Sequence, residues 1–127
     1  MKYAAVALLF LLAGCGVRPP IEGRADPYPH AQVHMASADL ANQTAVSTPI
    51  TSRRDGLLFV TVPVRSAVNR HIHVDYRITF FNEAGAPIET SSWIGGTVLN
   101  ENTPSNISFN STSANAADFQ LDIRWAE

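Results

Sequence analysis

Between His71 and Phe81 every second residue is apolar: Ile72, Val74, Tyr76, Ile78 and Phe80 alternate with His71, His73, Asp75, Arg77 and Thr79. Successive side chains of a β-strand point to opposite faces, whereas an amphipathic helix needs apolar residues three or four apart. A period of two held over this length therefore specifies a strand with its first set in a core and its second set in solvent. Phe119, Leu121, Ile123 and Trp125 repeat the pattern against Asp118, Gln120, Asp122 and Arg124. In Leu57 to Arg65 both faces are apolar, with Leu58, Val60, Val62 and Val64 on one and Leu57, Phe59, Thr61 and Pro63 on the other. Such a strand is covered on both sides or lies near an edge at Pro63. Asn82 to Pro87 reads as a turn with Gly85 at positive φ, making a hairpin with Ile88 to Ser92. Trp93 to Leu99 reads as a strand whose Gly95-Gly96 pair marks a bulge, and Ile107 to Thr112 as another. Val33 to Leu40 and Thr44 to Ile50 are weaker strand candidates. Helical periodicity is absent apart from one candidate turn at Ser113 to Ala117. Six to eight strands in about 100 residues predict an all-β chain folded as an antiparallel β-sandwich, with Trp93, Tyr76, Phe80, Phe119 and Trp125 between the sheets or at their rim.

The 127 residues suit one small domain, and their apolar content is uneven. Lys2 precedes an unbroken apolar run from Tyr3 to Ala13, followed by Gly14 and Cys15, the layout of a secretory signal. Eleven residues rise about 16 Å as a helix, against a hydrocarbon core of roughly 30 Å, which argues against a spanning anchor. Leu12-Ala13-Gly14-Cys15 resembles a bacterial lipoprotein lipobox. That resemblance implies cleavage before Cys15, a diacylglycerol thioether on its sulfur and commonly a third acyl chain on its amine. Two or three chains make a stable membrane anchor where one is marginal. Gly16 after the cysteine, in place of the Asp that retains enterobacterial lipoproteins at the inner membrane, points to the periplasmic face of the outer membrane. From Gly16 to Pro29 the chain holds four of its eight prolines and few apolar residues, as a proline-rich tether does. Extended, it reaches roughly 40 Å. The expected organisation is a signal peptide over 1–14, the lipidated Cys15 and tether over 15–29, and the sandwich over 30–127.

From Val74 to Gly85, a stretch reading Val-Asp-Tyr-Arg-Ile-Thr-Phe-Phe-Asn-Glu-Ala-Gly and followed by Trp93, the chain resembles the YcfL family of small periplasmic lipoproteins. A valine-rich strand over Leu57 to Val64, Asn69 in a turn, and Phe119 with Leu121 in a terminal strand agree with that family's pattern. Asn82 stands where the family usually has Asp, and Phe81 where Trp or Tyr is commoner. The resemblance implies an immunoglobulin-like sandwich on a lipid anchor, a link to lipoproteins that activate peptidoglycan synthases, and no established enzymatic activity. It carries over no catalytic residues.

A net charge of −2 and a pI near 6.0 leave no basic surplus for phosphates, so nucleic acid is not an expected partner. The sequence lacks a Gly-x-Ser-x-Gly elbow, a His-Glu-x-x-His pair and a phosphate-cradling glycine loop, and its one cysteine is the lipidation candidate. A non-enzymatic, lipid-anchored binding protein is therefore expected, with another periplasmic or outer-membrane protein as partner and peptidoglycan as a further candidate. The predicted contact surface is the polar face of the Tyr76 strand, comprising His71, His73, Asp75 and Arg77, with Trp93 as an anchor if exposed. Arg77 is expected to pair across the sheet with an acid such as Asp122. Arg53-Arg54-Asp55-Gly56 reads as a turn whose arginines face an anionic partner. No cofactor is expected. The alternative is a metal-binding module in which His71 and His73, two apart on one strand face beside Asp75, ligate Zn²⁺ or Cu²⁺.

Overall fold

The structure is a computed structural model and describes residues 32–127. The signal-peptide, Cys15 and tether expectations lie outside the described residues. Nine strands and one short helix follow in the order β1 (Val33–Met35), α1 (Ala38–Gln43), β2 (Thr44–Val46), β3 (Ile50–Arg54), β4 (Leu57–Ser66), β5 (Ile72–Phe81), β6 (Pro87–Thr90), β7 (Ile94–Leu99), β8 (Ser105–Asn110) and β9 (Asp118–Trp125). Among the described residues no helix is long and apolar enough to cross a membrane.

The strands form two sheets packed as a sandwich. In the first sheet β1, β9 and β5 lie side by side, and the far edge of β5 is shared by β7, along Ile72 to Tyr76, and β6, along Thr79 to Phe81. In the second, β4 is central, with β8 on one edge and β3 and β2 in succession along the other. All pairs are antiparallel except β1 with β9. Pro63 fits inside β4 because it falls between the stretches paired to β3 and β2, where its missing N–H leaves no ladder bond unmade. Its carbonyl accepts from Ser47 N at 2.9 Å.

The inward sets predicted for β5 and β9 meet one of the two apolar faces of β4 in the core; β4 is neither covered on both sides nor an edge strand, since it is central in its sheet and Leu57, Phe59 and Thr61 stay half-exposed on its outer face. Val60, Val62 and Val64 pack in one cluster with Val74, Ile78, Phe80, Phe119, Leu121 and Ile123, with Leu40 of α1 and Leu99 of β7 joining them. Each such burial stabilises by about 1.5–3 kcal/mol before chain entropy is set against it. Phe80 meets Phe109 edge-on, with centroids 6.2 Å apart.

Several expectations change. The segment from Val33 to Leu40 is not one strand: β1 stops at Met35, and the Ser37 hydroxyl accepts from Leu40 N at 3.2 Å to cap α1. Arg53 and Arg54 lie in β3, and the turn is the two-residue Asp55-Gly56 pair, with φ of +52° and +81°, as tight hairpins require. The Asn82–Pro87 turn forms as expected, with Gly85 at φ +80° and Ala86 N donating to Asn82 Oδ1 at 3.0 Å. Trp93 is not between the sheets. It precedes β7 where the edge passes from β6 to β7, and its ring lies on the outer face of the first sheet.

Candidate functional site

Alternation along β5 and β9 places two facing polar rows on the outside of the first sheet, and the register sets opposite charges against each other. Asp75 faces Arg124 and Arg77 faces Asp122. Arg77 Nε donates to Asp122 Oδ2 at 3.1 Å, the pairing the sequence predicts. Arg124 Nε donates to Asp75 Oδ2 at 3.3 Å, and Nη1 lies 3.4 Å from Glu127 Oε1. Asp122 also accepts from Gln120 Nε2 at 2.9 Å, while His34 Nδ1 of β1 stands 3.6 Å from its Oδ1.

Trp93 binds the two pairs together. The guanidinium carbon of Arg77 lies 4.6 Å from its ring centroid and that of Arg124 4.0 Å, both within cation–π range. The indole is half-buried, so it is a seated part of the face rather than a free knob. Gly95 completes the cluster: a Cβ there would stand 3.2 Å from Asp75 Oδ1, so a residue without a side chain lets the β7 backbone close over the carboxylate. A register shift opposite, between Val74 and Tyr76, is the bulge that the Gly95-Gly96 pair marks.

The sequence-predicted residues divide accordingly. Arg77 and Trp93 come together at the centre. Asp75 is a correction: expected in solvent, it is 6% exposed, because Gly95, Arg124 and the Glu127 N–H close around it. His71 and His73 remain exposed, and His71 precedes the strand. They line a shallow cleft with Arg70 and Trp125, and His73 stands two residues from Asp75 along β5. With Asp75 engaged by Arg124, no third ligand joins them, and among the described residues no group of three or more His, Cys, Asp or Glu side chains could hold a metal ion. Arg124, Gln120 and His34 belong to the site without having been singled out. Arg124 and Gln120 were visible as the polar side of the terminal alternation; His34 depends on β1 docking beside β9, which local pattern does not encode.

Fold and face together define a β-sandwich domain that displays an ion-paired, tryptophan-centred cluster on the outside of one sheet. The chain belongs to DUF1425, a protein family of unknown function, which matches residues 31–125. None of the curated proteins matches it. Among solved structures, the Campylobacter jejuni protein cj0090 is similar with a TM-score of 0.63 at 15% identity, over 76% of this chain and 99% of that one. A DUF1425 family member from Shewanella sp. pv-4 is similar with a TM-score of 0.59 at 23% identity, over 66% of this chain and 79% of that one. At these identities the likeness is one of fold.

Proposed function

We propose that this protein is a lipid-anchored, non-enzymatic component of the bacterial envelope, held by Cys15 at the periplasmic face of the outer membrane, whose sandwich binds another envelope protein. Within DUF1425 the reading narrows to the YcfL family, from the Val74 to Gly85 stretch and Trp93, and with it to a link with peptidoglycan synthesis. The observation that carries the binding reading is the Arg77–Trp93–Arg124 cluster. Two guanidinium groups and an indole are fixed in place by Asp122 and Asp75 on two adjacent, well-paired strands. Such an array loses little side-chain freedom on contact, and tryptophan and arginine are the side chains most often found at interface hot spots. His73 and the exposed Val98, its register partner on β7, extend the surface.

In-cell crosslinking followed by purification and mass spectrometry tests this reading, with Cys15→Ser as the unanchored control and Trp93→Ala as the surface variant. The expected result is enrichment of one envelope protein by the parent chain, reduced in both variants. Recovery of the protein alone, or a partner captured equally by Trp93→Ala, sinks the assignment of this face.

A further inference from the structure

The opposite side of the sandwich has a different chemistry. Alternation along β4 places Phe59, Thr61 and Arg65 on the outer face of the second sheet, with Ile50, Ser52 and Arg54 of β3 on one flank and Asn106, Ser108 and Asn110 of β8 on the other. An open groove of about 400 Å³ runs over Phe59 and Thr61, within the ~300–1,000 Å³ of small-ligand clefts. Its polar lining is hydroxyl and amide: Thr61 Oγ1 and Ser108 Oγ lie 3.0 Å apart, and Ser52 and Asn110 lie at its walls.

Its charge is uncompensated. All arginine–carboxylate pairs among the described residues involve Arg77 or Arg124, on the other face. Arg54 lies over the Phe59 ring at 5.0 Å from the centroid, with no acceptor for its N–H groups among the described residues. The ring therefore holds the guanidinium plane while its donors stay available to a carboxylate, the anion its fork fits best. At the far end of the same row Arg65 is 5% exposed; Nη1 donates to Glu101 O at 2.9 Å, and Nη2 is buried without a partner. Among the described residues neither arginine forms an ion pair with a carboxylate, so the row carries unpaired positive charge in a chain of net charge −2.

We propose that this groove binds a saccharide bearing carboxylates. The half-buried Phe59, with Arg54 over its face, gives the groove an apolar flank beside the sugar, Ser52, Thr61, Ser108 and Asn110 meet its hydroxyls, and Arg54 takes a carboxylate in a two-point hydrogen-bonded pair. A bare polyanion would use the arginine and leave the hydroxyl and amide rows unused, whereas a neutral sugar would leave the arginine unused. This site lies on the other sheet from the surface proposed for a protein partner, so each proposal stands or falls alone.

The test is retention of the full chain in detergent on purified, protein-free peptidoglycan sacculi, an amino-sugar polymer with carboxylates, against chitin, an amino-sugar polymer without them. Polyglutamate serves as the sugar-free polyanion. The expected result is retention on sacculi that falls with added salt, drops about tenfold in Arg54→Gln and in Ser108→Glu, and persists in Arg77→Gln. Retention on chitin is weaker, and polyglutamate does not displace the protein from sacculi. Melting temperatures within about 2 °C of the parent confirm that the variants are folded. No retention on sacculi, equal retention of the two groove variants, equal loss in Arg77→Gln, or ready displacement by polyglutamate each overturns the proposal.

Discussion

On the outer face of the first sheet both arginines of the central strands are held by carboxylates; on the outer face of the second, Arg54 and Arg65 have none among the described residues. The difference follows from sequence through register. β5 and β9 each carry an acid and a base two residues apart, in orders that bring opposite charges into line when the strands run antiparallel. Facing β4, the β3 and β8 strands offer Ser52, Asn106, Ser108 and Asn110, which match it with hydroxyls and amides. One face is thus fixed by ion pairs and an indole, and the other is stitched by weak polar contacts that leave charge in reserve. Opposite charges and hydroxyl pairs both stabilise cross-strand neighbours, but burial decides how much.

The largest expected separation between the faces comes from Asp75→Ala. Asp75 and Arg124 side chains are 9% and 27% exposed, and removing the acid leaves a half-buried cation beside the Trp93 ring whose remaining carboxylate partner is the exposed Glu127. Destabilisation of about 2–3 kcal/mol is expected, lowering the melting temperature by roughly 10 °C or more. Arg54→Ala, on the other face, should stay within about 0.5 kcal/mol. Thermal melts showing similar losses for both would erase the contrast.

A double-mutant cycle on Arg77 and Asp122 gives the next effect. Arg77 is 41% exposed, so solvent screens the pair, and coupling of about 0.5–1 kcal/mol is expected in urea titrations, shrinking as salt rises. The same cycle on Thr61→Val and Ser108→Ala should give the smallest value, about 0.2–0.5 kcal/mol and insensitive to salt. Salt-sensitive coupling in the hydroxyl pair, or none in the charged pair, would reverse the assignment of the two faces.

Much of the fold was legible wherever a strand was long enough to show its period. The inward sets of β5 and β9 fell on the faces that alternation gives them, with Tyr76 and Trp125 only partly buried, and Arg77 pairs with Asp122 as expected; β4, apolar on both faces, left open which side turned inward. What alternation reports is the face toward which a side chain leaves the backbone; it is silent about what later covers that face. Asp75 does leave toward the outside, yet it is buried because Gly95 brings β7 over it. Trp93 fell outside any regular repeat, which left it open to a place between the sheets, at their rim or as a surface anchor; its two arginine neighbours hold it on the outer face. The helix α1, at six residues, is too short for a 3.6-residue period to appear. Its sequence signal was the capping Ser37 three residues before Leu40. The arginines before Asp55-Gly56 were read into the turn because the whole polar run looked alike, although the Asp-Gly pair alone satisfies the two-residue geometry.

The parallel docking of β1 on β9 also sets how the domain bears a load. A pull on the chain ahead of Val33, directed along the strand, does not peel β1 away one bond at a time. It loads the Leu121 N to Gln32 O and Ala36 N to Ile123 O bonds together, in shear, at 2.7 and 2.9 Å. The strand that receives that force is β9, which carries Asp122 and Arg124. Tension on the leading segment is therefore delivered to the tryptophan-centred face before it reaches the second sheet.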